Sequence, residues 1–277
     1  MVTEKEIWDQ VEAGELTLED VKKKGWLTSV TGRIKKVKQP RGGFIKPKEF
    51  DAIQLPGGGI DDLNPEENVH PSLVGMAVDY LTRFMTGATA REAFAIAEMG
   101  TDILGEGELF KKWIGQVQGL DDQSIIAALD LCRFDAVVRA GIMTPPKPLG
   151  APSQATIENV RTMVERSLDF FDEYGPKVMD GLTFEGGYTG YVRSGDGDFM
   201  TSDTLWDFKV SKQKLKSAHT LQLLMYWRMG LHSIHPEYQQ VKYLGIYNPR
   251  QNVVYRLPVD KIPPYVSEVV EKFVIGY

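Results

Sequence analysis

Three ionisable side chains in the C-terminal half of the chain have types and spacing that could let them act together. Asp198 lies at the start of one predicted strand, and Asp207 lies in the middle of the next, with a tight turn between the two. Alternation along a strand places Asp207 and Lys209 on one face and Phe208 on the other. A hairpin would therefore bring two carboxylates and an ammonium group to one place.

Carboxylates this close repel each other, and the pKa of each rises unless a cation lies between them. A hard divalent ion, Mg²⁺ or Mn²⁺, meets this need because it is bound by carboxylates, carbonyls and water. We expect Asp198, Asp207 and the backbone carbonyl of Phe208 to be ligands. Lys209 could then position or deprotonate a water for in-line attack on a phosphodiester, with the ion stabilising the transferred phosphoryl group.

The segment HTLQLLMYWRMG follows these strands and predicts a helix with a polar stripe of His219, Gln222 and Tyr226. The other positions are apolar on nearly every side, so the helix should be buried, and buried polar groups need hydrogen-bond partners. One reading of Gln222 and Tyr226 is a satisfied polar pair in a core helix. The other reading places them beside the two acids.

The acid at one strand end, the Asp-Phe-Lys of the next strand and the Gln-x-x-x-Tyr of the helix resemble the RecB-like branch of the PD-(D/E)XK nuclease superfamily. The resemblance covers residues 153–277. It implies a restriction-endonuclease-like core, Mg²⁺ or Mn²⁺ as cofactor and DNA as substrate. The residues that it implies for the catalytic site are Asp198, Asp207, Lys209, Gln222 and Tyr226.

An additional acid could come from far upstream. The RecB-like families begin with a helix that carries Gly-x-x-apolar followed by His or an acid, and Gly75-Met-Ala-Val-Asp79 has that form. The resemblance thus implies Asp79 as a further metal ligand. Two alternatives stay open: Asp79 could pair with Arg83 one helical turn on, or Glu185 could supply the additional acid.

The elements that must position these groups follow from hydrophobic periodicity. Residues 182–211 predict three strands, and VKYLGIY with NVVYRL predicts a later hairpin. Residues 26–59 predict short strands and loops, and the proline-rich residues 143–153 predict a linker. The predicted helices cover about 4–13, 17–24, 71–84, 89–98, 106–117, 122–140, 153–174, 215–231 and 264–273.

These elements predict an α/β (α+β) protein whose central mixed sheet is flanked by helices, with an N-terminal helical region. We expect three parts in one compact unit: a basic segment at 1–69, a helical arm at 70–152 that carries the Gly75–Asp79 helix, and the nuclease-like core at 153–277.

Composition bounds the class of protein. A chain of 277 residues with 42% hydrophobic and 25% charged residues can bury its own core, and it is neither disordered nor fibrous. The single cysteine, Cys132, excludes a disulfide framework and a cysteine-ligated iron–sulfur cluster, and we read it as a core residue. No apolar run is long enough for a membrane span, so we expect a cytoplasmic location.

Charge is segregated along the chain. Residues 21–48 hold ten Lys or Arg and no acid, whereas residues 49–108 hold twelve acids and two arginines. Such asymmetry suits a polyanion-binding face, although a solvated surface is the alternative. The candidate nucleic-acid-binding residues are Arg33, Lys35, Lys36, Lys38 and Arg41, together with Lys212, Lys214 and Lys216.

Several simpler explanations compete with these assignments. Asp196 and Asp198 could merely cap their own turn. His232 and His235 lie at a helix end, where the helix dipole favours them, and we do not read them as metal ligands. Paired carboxylates also occur in sugar hydrolases, but that chemistry leaves Lys209 unexplained.

The sequence favours a divalent-metal-dependent nuclease that hydrolyses DNA. The alternative is a nuclease-fold protein that binds nucleic acid or assembles with partners without catalysis. No phosphate-binding loop of an ATPase is present, so ATP-driven movement would need a protein partner such as a helicase or recombinase. A phage, recombination or defence setting follows only by analogy of fold. Strand preference, mode of attack, action on RNA and oligomeric state stay open.

Overall fold

The computed structural model describes residues 28–141 and 143–277, without the side chain of Ala140. The helices predicted near residues 4–13 and 17–24 lie outside the described residues. The rest forms a six-stranded mixed sheet with helices packed on both faces. The α/β architecture predicted from the sequence is therefore confirmed.

The strands are β1 (Asp51–Gln54), β2 (Met179–Leu182), β3 (Gly197–Met200), β4 (Thr204–Phe208), β5 (Tyr243–Asn248) and β6 (Val253–Pro258). Their order across the sheet is β1-β6-β5-β4-β3-β2. Neighbours are antiparallel except for β4 and β5, which are parallel. A parallel pair needs a crossover, and a helix between β4 and β5 supplies it.

The helices are α1 (Val30–Lys36), α2 (Pro71–Met85), α3 (Ala90–Ala93), α4 (Ala95–Ile103), α5 (Gly107–Ile114), α6 (Asp122–Cys132), α7 (Asp135–Ala140), α8 (Gln154–Tyr174), α9 (Ser217–Leu231) and α10 (Pro264–Val269). A π-helical segment, Val270–Ile275, follows α10. None of the helices in the described part of the chain is long and apolar enough to cross a membrane.

Alternating residues of β4 face two different helical layers. Leu205 packs with Leu224 of α9 and Val30 of α1 in one core cluster. Trp206 faces the other way, where its ring centroid lies 4.9 Å from that of Phe170 on α8. Strand β4 is therefore covered on both faces, and its first four residues are buried.

The helical arm builds a third cluster against α8. Helix α2 packs on α6 and α8 through buried Val78, Leu129 and Val160. Ser153 is the N-cap of helix α8. Its hydroxyl accepts a hydrogen bond from the backbone N–H of Thr156. The arm is thus joined to the sheet through α8 rather than standing apart from it.

Predictions for secondary structure were wrong in part at several places. Of the three strands expected over 182–211 only β3 and β4 lie in that range, since β2 ends at Leu182, and the helix expected over 89–98 is divided into α3 and α4. Residues 26–59 were expected to form strands and loops, but Val30–Lys36 is helical, capped by Ser29 and packed on α9. The single helix expected over 122–140 is divided between Cys132 and Asp135. At this break the carbonyl of Phe134 approaches Gly100 so closely that a Cβ there would collide with it. Tertiary packing outweighs local propensity at α1 and at this break.

Candidate functional site

The β3–β4 ribbon places Asp198 and Asp207 side by side. Phe199 pairs with Trp206 and Met200 with Leu205, and the same register carried one residue further sets Asp198 across from Asp207. The Asp198 carboxylate accepts a hydrogen bond of 2.6 Å from the backbone N–H of Phe208. The Asp207 side chain is only 2% exposed. Two acids thus share one face of the ribbon, and like charges in that position destabilise a sheet.

Lys209 lies on the same face as the acids. Its ammonium nitrogen is 2.8 Å from Oδ1 of Asp207. Burial and then the charge of Asp207 raise the pKa of Asp198 to about 7, while Lys209 opposes this rise. Burial lowers the pKa of Lys209, but the charges of Asp207 and Asp198 outweigh it, so the net direction is upward. Two carboxylates therefore share one ammonium group.

The second carboxylate oxygen of Asp207 shows that one lysine does not satisfy the pair. Oδ2 of Asp207 is buried and has no hydrogen-bond partner within residues 28–141 and 143–277. An unsatisfied buried anion is costly, so an atom in this position calls for a donor or a cation. The residues present therefore fit a hard divalent ion held by Asp198 and Asp207.

Asp79 lies on α2, whose N-terminal half reaches the segment after β4. A Cβ added at Gly75 would lie at ordinary contact distance, 3.5 Å, from Cβ of Val210, so α2 packs against the segment after β4. The charge of Asp79 acts on both Asp198 and Lys209. Its carboxylate is nevertheless 3.1 Å from Nε of Arg83, which is the i, i+4 pair of the simpler explanation.

A complete set of protein ligands is not assembled around the pair. Among the described residues no group of three or more His, Cys, Asp or Glu side chains is arranged to hold a metal. Asp198 and Asp207 are two such side chains, and the carbonyl of Phe208 and the carboxylate of Asp79 stay predictions as further ligands. Magnesium usually keeps several waters, so two carboxylates are compatible with its binding.

Gln222 and Tyr226 support the turn that leads into β3. Nε2 of Gln222 donates to the hydroxyl of Tyr226 over 2.8 Å, and that hydroxyl donates to the carbonyl of Asp196 over 2.8 Å. Tyr226 is buried, and burial raises the pKa of its phenol. A Cβ at Gly195 would lie 2.7 Å from Val30, which explains the glycine in this turn. The pair therefore fixes the backbone two residues before Asp198.

His219 continues the polar stripe toward the acids. Its Nδ1 accepts a long hydrogen bond of 3.4 Å from the backbone N–H of Lys216, at the start of α9. Burial and then the charge of Lys209 lower the pKa of His219, while Asp207 opposes this. All three members of the predicted stripe thus lie on the side of α9 that meets the ribbon.

The rival acid lies elsewhere. Glu185 pairs with His235, with 2.9 Å between Oε2 and Nε2, and its charge is not among the influences on Asp198. The neighbouring His232 caps the end of α9 and pairs with Glu271. Cys132 is fully buried in the helical arm. Glu185, His232 and His235 are thus in ion pairs, and Cys132 is in the core. This agrees with the simpler explanations of the two histidines and the cysteine.

The basic residues divide into two groups. Lys212, Lys214 and Lys216 are exposed on the segment that joins β4 to α9, directly after Lys209. Lys35, Lys36, Lys38 and Arg41 are exposed on or after α1, which packs on α9. Arg33 differs, because its Nε donates to the carbonyl of Val274 over 2.8 Å and its guanidinium stacks on Tyr191. Arg33 joins α1 to the C-terminal segment.

Sequence reasoning missed two cations near the acids. The sequence suggested Arg83 only as an ion-pair partner of Asp79, and it did not suggest Lys177 as a site residue. Both line a small gap next to Phe208, together with Asp79 and Asp180. No spacing signal marks Lys177, since it comes to this place only through the packing of α8 against the sheet.

Searches with this chain against protein-family models, curated proteins and solved structures gave no match. The case for its function therefore rests on the residues and their geometry.

Proposed function

We propose that the chain is a divalent-metal-dependent nuclease that hydrolyses DNA phosphodiester bonds. The single observation that carries the proposal is the buried, unpartnered Oδ2 of Asp207 beside a second carboxylate and an ammonium group. What sets this oxygen apart is the second carboxylate across the ribbon, because two buried acids repel each other and a cation relieves the repulsion. The fold brings the two acids together, and a bound cation would give Oδ2 of Asp207 the partner that it needs.

Asp198 and Asp207 would hold Mg²⁺ or Mn²⁺, with the carbonyl of Phe208 and with Asp79 as further candidates. When bound, such an ion neutralises the acids, lowers the pKa of a coordinated water and stabilises charge on the transferred phosphoryl group. The protein's own contribution is to hold the ligands rigidly on neighbouring strands, which is the requirement for precise catalytic geometry.

Lys209 would orient the attacking water. Its ammonium group is held 2.8 Å from Asp207 and faces the same side of the ribbon as both acids. Gln222 and Tyr226 do not need to touch the reacting atoms, because their hydrogen bonds fix the Asp196 carbonyl and hence the path into β3. We therefore regard them as positioning residues. The exposed lysines at 212, 214 and 216 are candidates for phosphate contacts, which would make DNA binding salt-dependent.

A second candidate is a protein of the same fold that binds nucleic acid without cutting it. The Lys209–Asp207 ion pair favours this reading, since it already neutralises one acid without a metal. It predicts DNA binding that is insensitive to Mg²⁺ and to loss of Asp198.

The two candidates differ in one assay. Purified protein is incubated with labelled single-stranded and duplex DNA in Mg²⁺, in Mn²⁺ or in chelator. We expect cleavage only with metal, and we expect Asp207→Asn to reduce it by at least about a hundredfold. Asp260→Asn is the matched control, because Asp260 is an exposed aspartate on the short helical turn after β6. Retained cleavage in Asp207→Asn, with chelator-sensitive activity in the parent, would refute the assignment of the acids.

A further inference from the structure

A groove of about 1020 Å³ lies between the C-terminal ends of α2 and α8 and the edge strand β2. It is separate from the surfaces that carry the exposed lysines after β4 and α1. Four of its lining residues also line the small gap beside Phe208: Arg83, Phe171, Lys177 and Asp180. The gap is also lined by Asp79, so the groove extends to this candidate ligand, whereas Asp198, Asp207 and Lys209 line neither the groove nor the gap.

Two cations stand where the groove meets the gap. Nε of Arg83 donates to Oδ1 of Asp79 over 3.1 Å. The Arg83 side chain is 28% exposed, so it is accessible from the groove. A guanidinium has five donors, and one partner leaves most of them available for a second anion. The charge of Asp198 also acts on Arg83, which places this cation near the acid pair.

Lys177 is the second cation. Its ammonium nitrogen is 2.9 Å from Asp180 and lies over the ring of Phe171 at 5.1 Å from the centroid. The side chain is only 16% exposed, so it is held in place rather than free in solvent. An ammonium group carries three donors and can bind a further acceptor without leaving its first partner.

The remaining lining is partly open and combines apolar residues with Thr86 and the acids Asp172 and Asp180. Val178 is 50% exposed and Met85 is 39% exposed, and both line the groove with the half-buried ring of Phe171. Strand β2 is an edge of the sheet as far as the described residues go, so nothing in that part of the chain covers this side. Cations at one end of a partly apolar, partly aromatic groove suit a nucleic-acid strand, whose phosphates and bases need both.

We propose that this groove binds the nucleotides next to the scissile phosphate, with Arg83 and Lys177 contacting the neighbouring phosphate. The inference rests on the proposed nuclease function and adds a binding site on the α2–α8 side of the sheet. Three carboxylates, those of Asp172 and Asp180 in the lining and that of Asp79 beside Arg83, offset the two cations, so the groove does not attract anions at long range. The groove acts locally: it fixes the position of a nucleic-acid strand whose scissile phosphate is already bound at the acid pair.

Binding is the direct test, measured by fluorescence anisotropy with labelled single-stranded and duplex oligonucleotides. Two samples avoid cleavage: wild-type protein in chelator, and the Asp207→Asn variant in Mg²⁺. In each background we expect Arg83→Gln and Lys177→Gln to weaken binding about tenfold. Each should also lower the slope of log affinity against log salt by about one. Arg83→Lys, which keeps the charge, should recover part of the loss.

A matched control and a steric variant complete the set. Lys242→Gln removes an exposed lysine just before β5, at the end of the sheet opposite Lys209, and should change neither affinity nor salt slope. Val178→Trp fills the groove from its open side without touching a charge. It should weaken binding while leaving the salt slope unchanged. Circular dichroism and thermal melting of each variant show that the fold is retained.

The outcomes separate the two proposals. If the wild type cuts DNA with Mg²⁺ but the Arg83, Lys177 and Val178 variants bind and cut like it, the groove proposal is overturned and the nuclease stands. If the wild type never cuts but Arg83→Gln and Lys177→Gln still weaken binding with the lower salt slope, the nuclease fails and the groove is supported. Loss of affinity in Lys242→Gln equal to that in Arg83→Gln would also overturn the groove, since it would show general charge loss.

Discussion

Asp207 and Asp135 are both buried carboxylates beside a cation, and the comparison between them shows what makes one a candidate metal ligand. Asp207 is 2% exposed and Asp135 is 1% exposed. Each receives hydrogen bonds on one oxygen, from Lys209 or from Tyr80 and Arg139, and each has a buried second oxygen without a partner in the described part of the chain. By burial and pairing alone the two look alike.

Their immediate surroundings differ, although the charge of Asp79 acts on Asp135 as it does on Asp198. Across the ribbon from Asp207 stands Asp198, a second acid, whereas Asp135 has the neutral phenol of Tyr80 as its nearest partner. A donor such as a phenol satisfies a carboxylate, but a second carboxylate adds repulsion that only a cation relieves. Asp135 therefore joins α2 to α7, whereas Asp207 is the candidate metal ligand. Asp135 is thus an internal control for Asp207.

The largest change in stability should come from adding a divalent ion, because the ion binds the folded protein and not the unfolded chain. At a Mn²⁺ concentration about 100 times its Kd, linkage predicts about 2.7 kcal/mol of added stability. We expect the melting temperature of the wild type to rise with Mn²⁺ and that of Asp135→Asn to rise by the same increment. Asp207→Asn should show almost no rise, as measured by differential scanning calorimetry. An equal rise in all three proteins would place the ion somewhere else.

Tyr80→Phe tests the contact that joins α2 to α7. It removes the donor to the buried Asp135 and should lower the free energy of unfolding by about 1–3 kcal/mol, measured in urea. Cleavage per folded molecule should not change, because this contact lies in the helical arm. Tyr265→Phe is the control, since Tyr265 is 66% exposed. A Tyr80→Phe protein that is fully stable but inactive would reverse the roles assigned to the two carboxylates.

Tyr226→Phe tests the support of the site. Loss of its hydrogen bonds to Asp196 and Gln222 should lower kcat about tenfold through misplacement of β3, with KM little changed. The control is Tyr238→Phe, because Tyr238 is equally buried but donates to Thr183, away from the acids. Similar kcat losses in both variants would mean that the effect is one of general packing.

The smallest effect concerns pH. Burial raises the pKa of Asp135 above its usual value, although Tyr80 and Arg139 oppose this. The folded state thus holds the proton more tightly than the unfolded state, so protonation stabilises the fold. As pH falls from neutral toward about 4, wild type should gain stability relative to Asp135→Asn. Urea titrations at several pH values measure this gap, and a gap that stays constant would contradict the shift.

The sequence predicted the parts of the site that depend on local periodicity. The two-residue alternation in β4 put Asp207 and Lys209 on one face, and the short turn before it brought β3 alongside. The apolar surface of α9 predicted its burial. A polar pair of Gln222 and Tyr226 was one of two readings of their spacing, and the two side chains are hydrogen-bonded to each other. The match of these residues to nuclease chemistry stays a prediction.

Only the tertiary structure decided how distant segments meet. Strand β1 pairs with β6 about two hundred residues later, so the basic N-terminal segment completes the sheet of the core. Arg83 and Lys177 come together at one groove because α2 and α8 pack against each other. Local pattern fixes which face of a strand or helix a residue takes, since that depends on backbone geometry over a few residues. Which elements become neighbours depends on the packing of whole apolar faces, and no short stretch of sequence contains that information.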